Sequence, residues 1–115
     1  RRGGASARRM PIEGFARGPY RTALEQGGLL VAVRVPVPAP GSALVHRKMS
    51  FRERPAITLA AHVTVRDGVV LDARVAVGSV GVTPERLSEA EHALVGLDAL
   101  APSPDQLAAL PACFT

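Results

Sequence analysis

Two runs of alternating residues meet at Asp67-Gly68, and this junction constrains the fold more than any other part of the chain. In residues 57–66, Ile57, Leu59, Ala61, Val63 and Val65 share one parity, while Thr58, Ala60, His62, Thr64 and Arg66 share the other. In residues 69–77, Val69, Leu71, Ala73, Val75 and Val77 repeat the apolar set, with Asp72 and Arg74 opposite. A period of two is that of a strand with one dry face. Asp-Gly suits a two-residue type I′ turn, where both central residues take positive φ. The chain therefore contains an antiparallel hairpin whose apolar face must be covered by something else.

Other segments supply strands and cover. Residues 29–35 alternate Leu29, Val31, Val33 and Val35 against Leu30, Ala32 and Arg34, which predicts a strand. Pro36, Pro38 and Pro40, each without a backbone donor, end it. Residues 43–51 read as another strand, with Val45, Met49 and Phe51 sharing a side with Arg47, and Leu44, His46, Lys48 and Ser50 on the other. A polar connection over 52–56 follows, in which Pro55 turns Arg54 away from helix. Thr83-Pro84-Glu85 is a helix start signal, Leu87, Ala90 and Leu94 form the apolar stripe, and Gly96 fits the C-terminal cap. A second short helix is expected from Ser103-Pro104, carrying Leu107 and Leu110 and stopped by Pro111. Near the start, Ile12 and Phe15 are expected to anchor a short edge strand or turn. The sum is an α+β fold: a three- to four-stranded, mainly antiparallel sheet with two or three helices packed on one face.

Composition narrows the functional classes. A chain of 115 residues fits one domain with a thin core, and with no Trp, one Tyr and three Phe that core must be aliphatic. The net charge of +4 is uneven, because Arg1, Arg2, Arg8, Arg9, Arg17 and Arg21 all fall near the start. We expect residues 1–17 to form a flexible basic arm and residues 18–115 to form the folded domain. Without interleaved aromatics or a helix-turn-helix pattern, this arm argues against nucleic-acid recognition. The single Cys113 allows no internal disulfide and no zinc spacing. Neither a membrane-length apolar run nor a secretory leader is present, so a soluble, cytoplasmic protein is expected.

Few residues bear chemistry. His46, His62 and His92 have no ligand spacing around them, so no metal site is expected. No serine sits in a nucleophile elbow, and neither Gly3-Gly4 nor the Gly78 to Gly81 segment has the pattern of a phosphate loop. Glu53 lies between Arg52 and Arg54, which hold a carboxylate charged and make it a poor proton carrier near neutrality. Arg47 and Lys48 differ from the other cations because strand backbone fixes their direction. Either can be aimed at a bound cofactor or can stand as a surface cation on an edge strand.

From about Gly18 to Gly96 the order of motifs resembles the C-terminal domain of the flavoprotein (medium) subunit of molybdenum hydroxylases, the family of carbon monoxide and xanthine dehydrogenases. The resemblance rests on Tyr20-Arg21-Thr22-Ala23-Leu24, on the Val33-Arg34-Val35-Pro36 strand end and on Arg52-Glu53-Arg54-Pro55. It implies an oxidoreductase component that is not catalytic alone. Such a domain helps enclose FAD during electron transfer from iron–sulfur centres, and it touches an FAD-binding domain, an iron–sulfur subunit and a molybdopterin subunit. The residues it places near the flavin are Thr22, Ala23 and Leu24, with Lys48, or Arg47 if the register slips by one. No catalytic residue and no metal ligand is implied. A non-catalytic interaction module that binds no flavin is the alternative. Compared with the family, residues 1–115 lack the upstream glycine-rich FAD domain and the closing helix. The dry sheet face then favours a homo-oligomer or dependence on a partner chain. Sedimentation at high concentration should show association, and a monodisperse monomer would contradict it.

Overall fold

The computed structural model describes residues 7–51 and 54–109. Contacts divide the chain into two compact units, Arg1–Arg34 and Val35–Thr115.

In the first unit a 3-10 turn, Ile12–Gly14, is closed by the Phe15 N–H on the Ile12 carbonyl at 3.0 Å. Strands β1 (Ala16–Gly18) and β2 (Arg21–Thr22) follow as a small hairpin, with Tyr20 at φ 57 in the turn. Ala23 is buried, and its N–H donates to the Phe15 carbonyl at 2.8 Å. Phe15 is half-buried, but Ile12 is 70% exposed and does not anchor the turn. The strand expected over residues 29–35 is also absent: this stretch is exposed and carries no strand. Alternation decides which side chains would share a face. A strand also needs a neighbour to bond, and no described strand pairs with this one.

The second unit is an antiparallel sheet of order β3-β4-β5-β6, made of β3 (Ser42–Phe51), β4 (Arg54–Arg66), β5 (Val69–Gly78) and β6 (Glu85–Arg86). The hairpin turns where expected, with Asp67 at φ 52, Gly68 at φ 80 and Arg66 opposite Val69. Its inner face differs from the expected one. Thr64 pairs with Asp72 and Val65 with Val70, so Leu71 has no partner and forms a bulge. One extra residue reverses the parity of what precedes it. Val70 is consequently buried, while Val69 and Leu71, expected to point inward, are exposed.

The core forms where the α1 helix (Ser88–Leu94) packs on β5. Val70, Ala73 and Leu97 are buried together, with Val63, Val65 and Leu94 against them. The chain leaving α1 is sewn to the hairpin: Gly96 N–H donates to the Val70 carbonyl at 2.8 Å, and Val70 N–H to the Leu97 carbonyl at 3.0 Å. Gly96, at φ 88, makes the expected left-handed turn.

The helix start is displaced from its expected position. Thr83-Pro84-Glu85 does not begin α1; Glu85 and Arg86 pair with Val77 and Ala76 as β6. Leu87 N–H then bonds the Val75 carbonyl at 2.9 Å, and the helix begins at Ser88. The open edge of β5 offers these backbone groups a partner that a free helix terminus would lack. The second helix, α2 (Pro104–Ala109), begins as expected. Ser103 Oγ accepts from Gln106 N–H at 3.3 Å, while Gln106 Oε1 accepts from Ser103 N–H at 2.9 Å, which is a capping box. Leu110, Pro111, Cys113, Arg52 and Glu53 lie outside the described residues. Among the described residues no helix is long and apolar enough to cross a membrane.

Gly41, at φ 81, receives Val65 N–H on its carbonyl at 2.8 Å, and a Cβ there would lie 2.7 Å from the Val65 oxygen. Gly68 has a similar φ but open space around it. Gly68→Ala should cost about 1 kcal/mol in urea unfolding, and Gly41→Ala at least about 1 kcal/mol more, because its Cβ also meets backbone. Equal losses would contradict the close approach.

Candidate functional site

Cross-strand partners project to the same side of a sheet, so the register assigns the faces. One row joins Ser42, Thr64 and Asp72; the next joins Leu44, His62 and Arg74. The third joins His46, Ala60 and Ala76, and the fourth Lys48, Thr58 and Gly78. This polar face therefore gathers Lys48, His46, His62 and Arg74 around a floor of small residues. Gly78 keeps the floor flat, because a Cβ there would meet Thr58 Oγ1 at 2.5 Å. Ser42 and Thr64 hydroxyls bond across the strands at 3.2 Å. Arg74 reaches Asp72 at 3.4 Å, an exposed pair of little energetic weight.

The five residues singled out from the sequence fall in both units. Thr22 ends β2, and its Oγ1 accepts the Leu24 N–H at 3.3 Å. Ala23 is buried with its N–H already engaged, so the outward group of this turn is the Leu24 side chain, 41% exposed. Arg47 and Lys48 both lie on β3, where the pleat sends them apart. Lys48 lies opposite Thr58 on the polar face, and Arg47 lies opposite Leu59 on the other. His46 and His62, sixteen positions apart in sequence, share the polar face on neighbouring strands. His92 is exposed on α1, and its Nδ1–H donates to the Ser88 carbonyl at 2.7 Å. Among the described residues no three metal-ligating side chains come together.

A different charged cluster was not legible in the sequence. Arg86 grips Glu91 with two hydrogen bonds, Nε to Oε1 at 2.5 Å and Nη2 to Oε2 at 2.7 Å. Glu91 Oε1 also accepts Val75 N–H at 2.9 Å, tying α1 to β5. The Glu91 side chain is only 12% exposed. The Arg86 hydrogen bond holds its carboxyl well below the usual range, at about 2; desolvation opposes this and the Val75 N–H assists it. A five-residue spacing that crosses from β6 into α1 matches neither helix nor strand periodicity, so no sequence pattern marks the pair. The open cleft beside it, about 390 Å³, is bordered by Asp72, Arg74, Arg86, Glu91, His92 and Val95. Its carboxylates are already engaged by arginines.

Residues 48–110 match the CO dehydrogenase flavoprotein C-terminal domain family. The chain belongs to this family. It is 33% identical over 115 residues to the carbon monoxide dehydrogenase medium chain of Afipia carboxidovorans, covering 98% of this chain and 40% of the relative. The carbon monoxide dehydrogenase of Hydrogenophaga pseudoflava superposes with a TM-score of 0.72 at 28% identity, covering 88% of this chain and 35% of that one. Quinoline 2-oxidoreductase of Pseudomonas putida superposes with a TM-score of 0.69 at 26% identity, covering 87% and 34%. The chain thus spans well under half the length of these relatives. The chain carries the fold of that family's flavoprotein C-terminal domain.

Because the carboxyl of Glu91 is lowered from 4.5 to about 2 in the folded protein, its contribution to stability is complete above the unfolded value and is lost as pH falls through this window. Glu91→Ala should cost about 1–3 kcal/mol at neutral pH. It should also flatten the stability profile between pH 4.5 and 2. An unchanged acid limb in the variant would contradict the assignment.

Proposed function

We propose that the chain is part of the flavoprotein subunit of a molybdenum hydroxylase, where it helps enclose FAD and makes contacts with other subunits. Lys48 carries this reading. Its ammonium stands on an open sheet face floored by Thr58, Ala60, Ala76 and Gly78, low enough for a planar ring to approach. Small residues with a cation at the rim fit one end of a flavin. FAD, when bound, supplies the redox group that accepts electrons. The chain's own part is to hold a positive charge where negative charge develops and to exclude water from that end. Arg47 projects from the opposite face and is left for subunit contact. In the turn of the first unit, Thr22 and Ala23 spend their polar groups on holding the backbone, so Leu24 is the residue suited to apolar contact with a ring.

In this reading electrons reach the flavin from iron–sulfur centres of a small subunit, fed by a molybdopterin site in a large one. The reaction is chosen in that large subunit, and no residue of this chain acts on substrate.

FAD titration of the chain, alone and with a separately supplied FAD-binding domain, tests the proposal. The chain alone should leave FAD fluorescence largely unchanged, and the pair should quench it. Lys48→Met should weaken that quenching and make the flavin harder to reduce, while Arg47→Met should leave both unchanged. If Lys48→Met leaves binding and reduction unaltered, Lys48 is a surface cation and the chain is better read as an interaction module without flavin.

A further inference from the structure

Strand β3 ends the sheet, and no described strand pairs with its outer side. Ten residues of edge offer a row of backbone donors and acceptors to any extended chain that approaches. Apolar side chains beside this edge are exposed: Leu44 is 70% exposed, Met49 68% and Val45 44%. Between them lies a cationic centre, Arg47-Lys48 with His46 beside it, whose side chains point to both faces.

That centre discriminates between occupants. A second copy pairing antiparallel across a two-fold axis makes the longest ladder when the two cationic centres lie opposite each other, and like charges in that position destabilise a strand pair. Registers that separate the charges shorten the ladder. A strand of opposite charge satisfies both conditions at once. We propose that the free edge of β3 takes up an extended acidic segment of another protein, extending the sheet to five strands. Its carboxylates lie beside His46 and Lys48 on one face, and its apolar residues lie beside Val45 and Met49 on the other, flanking Arg47. Backbone bonds supply affinity in such strand addition, and the charges choose partner and register. This edge is formed by β3 whether or not flavin binds the polar face.

Hydrogen exchange of the 115-residue chain, with and without a capped Thr-Glu-Val-Glu-Thr-Glu-Val peptide, tests the proposal. Exchange over residues 43–50 should slow by at least about fivefold with this peptide and not with its Lys-for-Glu counterpart. The double variant Arg47→Glu, Lys48→Glu should lose about tenfold or more in affinity for the acidic peptide and gain affinity for the basic one. Retained protection of β4 and β5 in the variant shows that it is folded. Equal effects of the two peptides would overturn the proposal. So would no slowing over β3, or slowing that appears without peptide as protein concentration rises, which would assign the edge to a second copy. The readout contains no flavin, so its failure and that of the FAD reading are distinguishable.

Discussion

The register between β3 and β4 decides what each face of the sheet presents. A slip of one residue would exchange the faces of β3, carrying Lys48 to the apolar side and Arg47 to the polar one. Two features pin it at the end near the hairpin. Gly41, in a left-handed conformation, brings its carbonyl onto Val65 N–H, and the hydroxyls of Ser42 and Thr64 bond directly across the strands. From there the pairs run without interruption to Met49 opposite Ile57, before a bulge at Ala56 of β4.

Packing is concentrated at the other side of the sheet. The bulge at Leu71 turns Val70 inward, where it meets Leu97 and is held by reciprocal backbone bonds with Gly96 and Leu97. Burying a Val or Leu side chain contributes about 1.5–3 kcal/mol, so this cluster supplies much of what fixes α1 on β5. Glu91, accepting Val75 N–H, adds a second tie between the same elements, and Arg86 on β6 grips its carboxylate. β3 receives no comparable cover among the described residues. The molecule is thus anchored along β4 and β5 and left open along β3, the strand that carries Arg47 and Lys48.

What the sequence made legible was local chemistry. Asp67-Gly68, the alternation of residues 57–66, the Ser103-Pro104 start and the Gly96 stop all act through neighbouring backbone, and all appear where expected. The structure departs from these expectations where a distant partner decides. Residues 29–35 have the right period but no described strand to bond, and Glu85 and Arg86 follow a helix start signal yet pair with the edge of β5. The Leu71 bulge reversed an otherwise regular pattern because a one-residue insertion into a ladder leaves no mark on composition. In the site, the pleat separates Arg47 from Lys48, as strand periodicity requires. The proximity of His46 to His62 and of Arg86 to Glu91 depends on pairing that no spacing in the chain reveals.

Family membership gives the fold a context, but the assignment of particular side chains to a flavin edge or a partner edge rests on the β3–β4 register. Nuclear Overhauser contacts between the two strands measure it most directly. Lys48 side-chain protons should contact the Thr58 methyl, His46 should contact Ala60, and Arg47 should contact Leu59. Contacts from Arg47 to Thr58 with Lys48 near Ile57, or from Arg47 to Ala60 with Lys48 near Leu59, would show a slipped register and contradict the account.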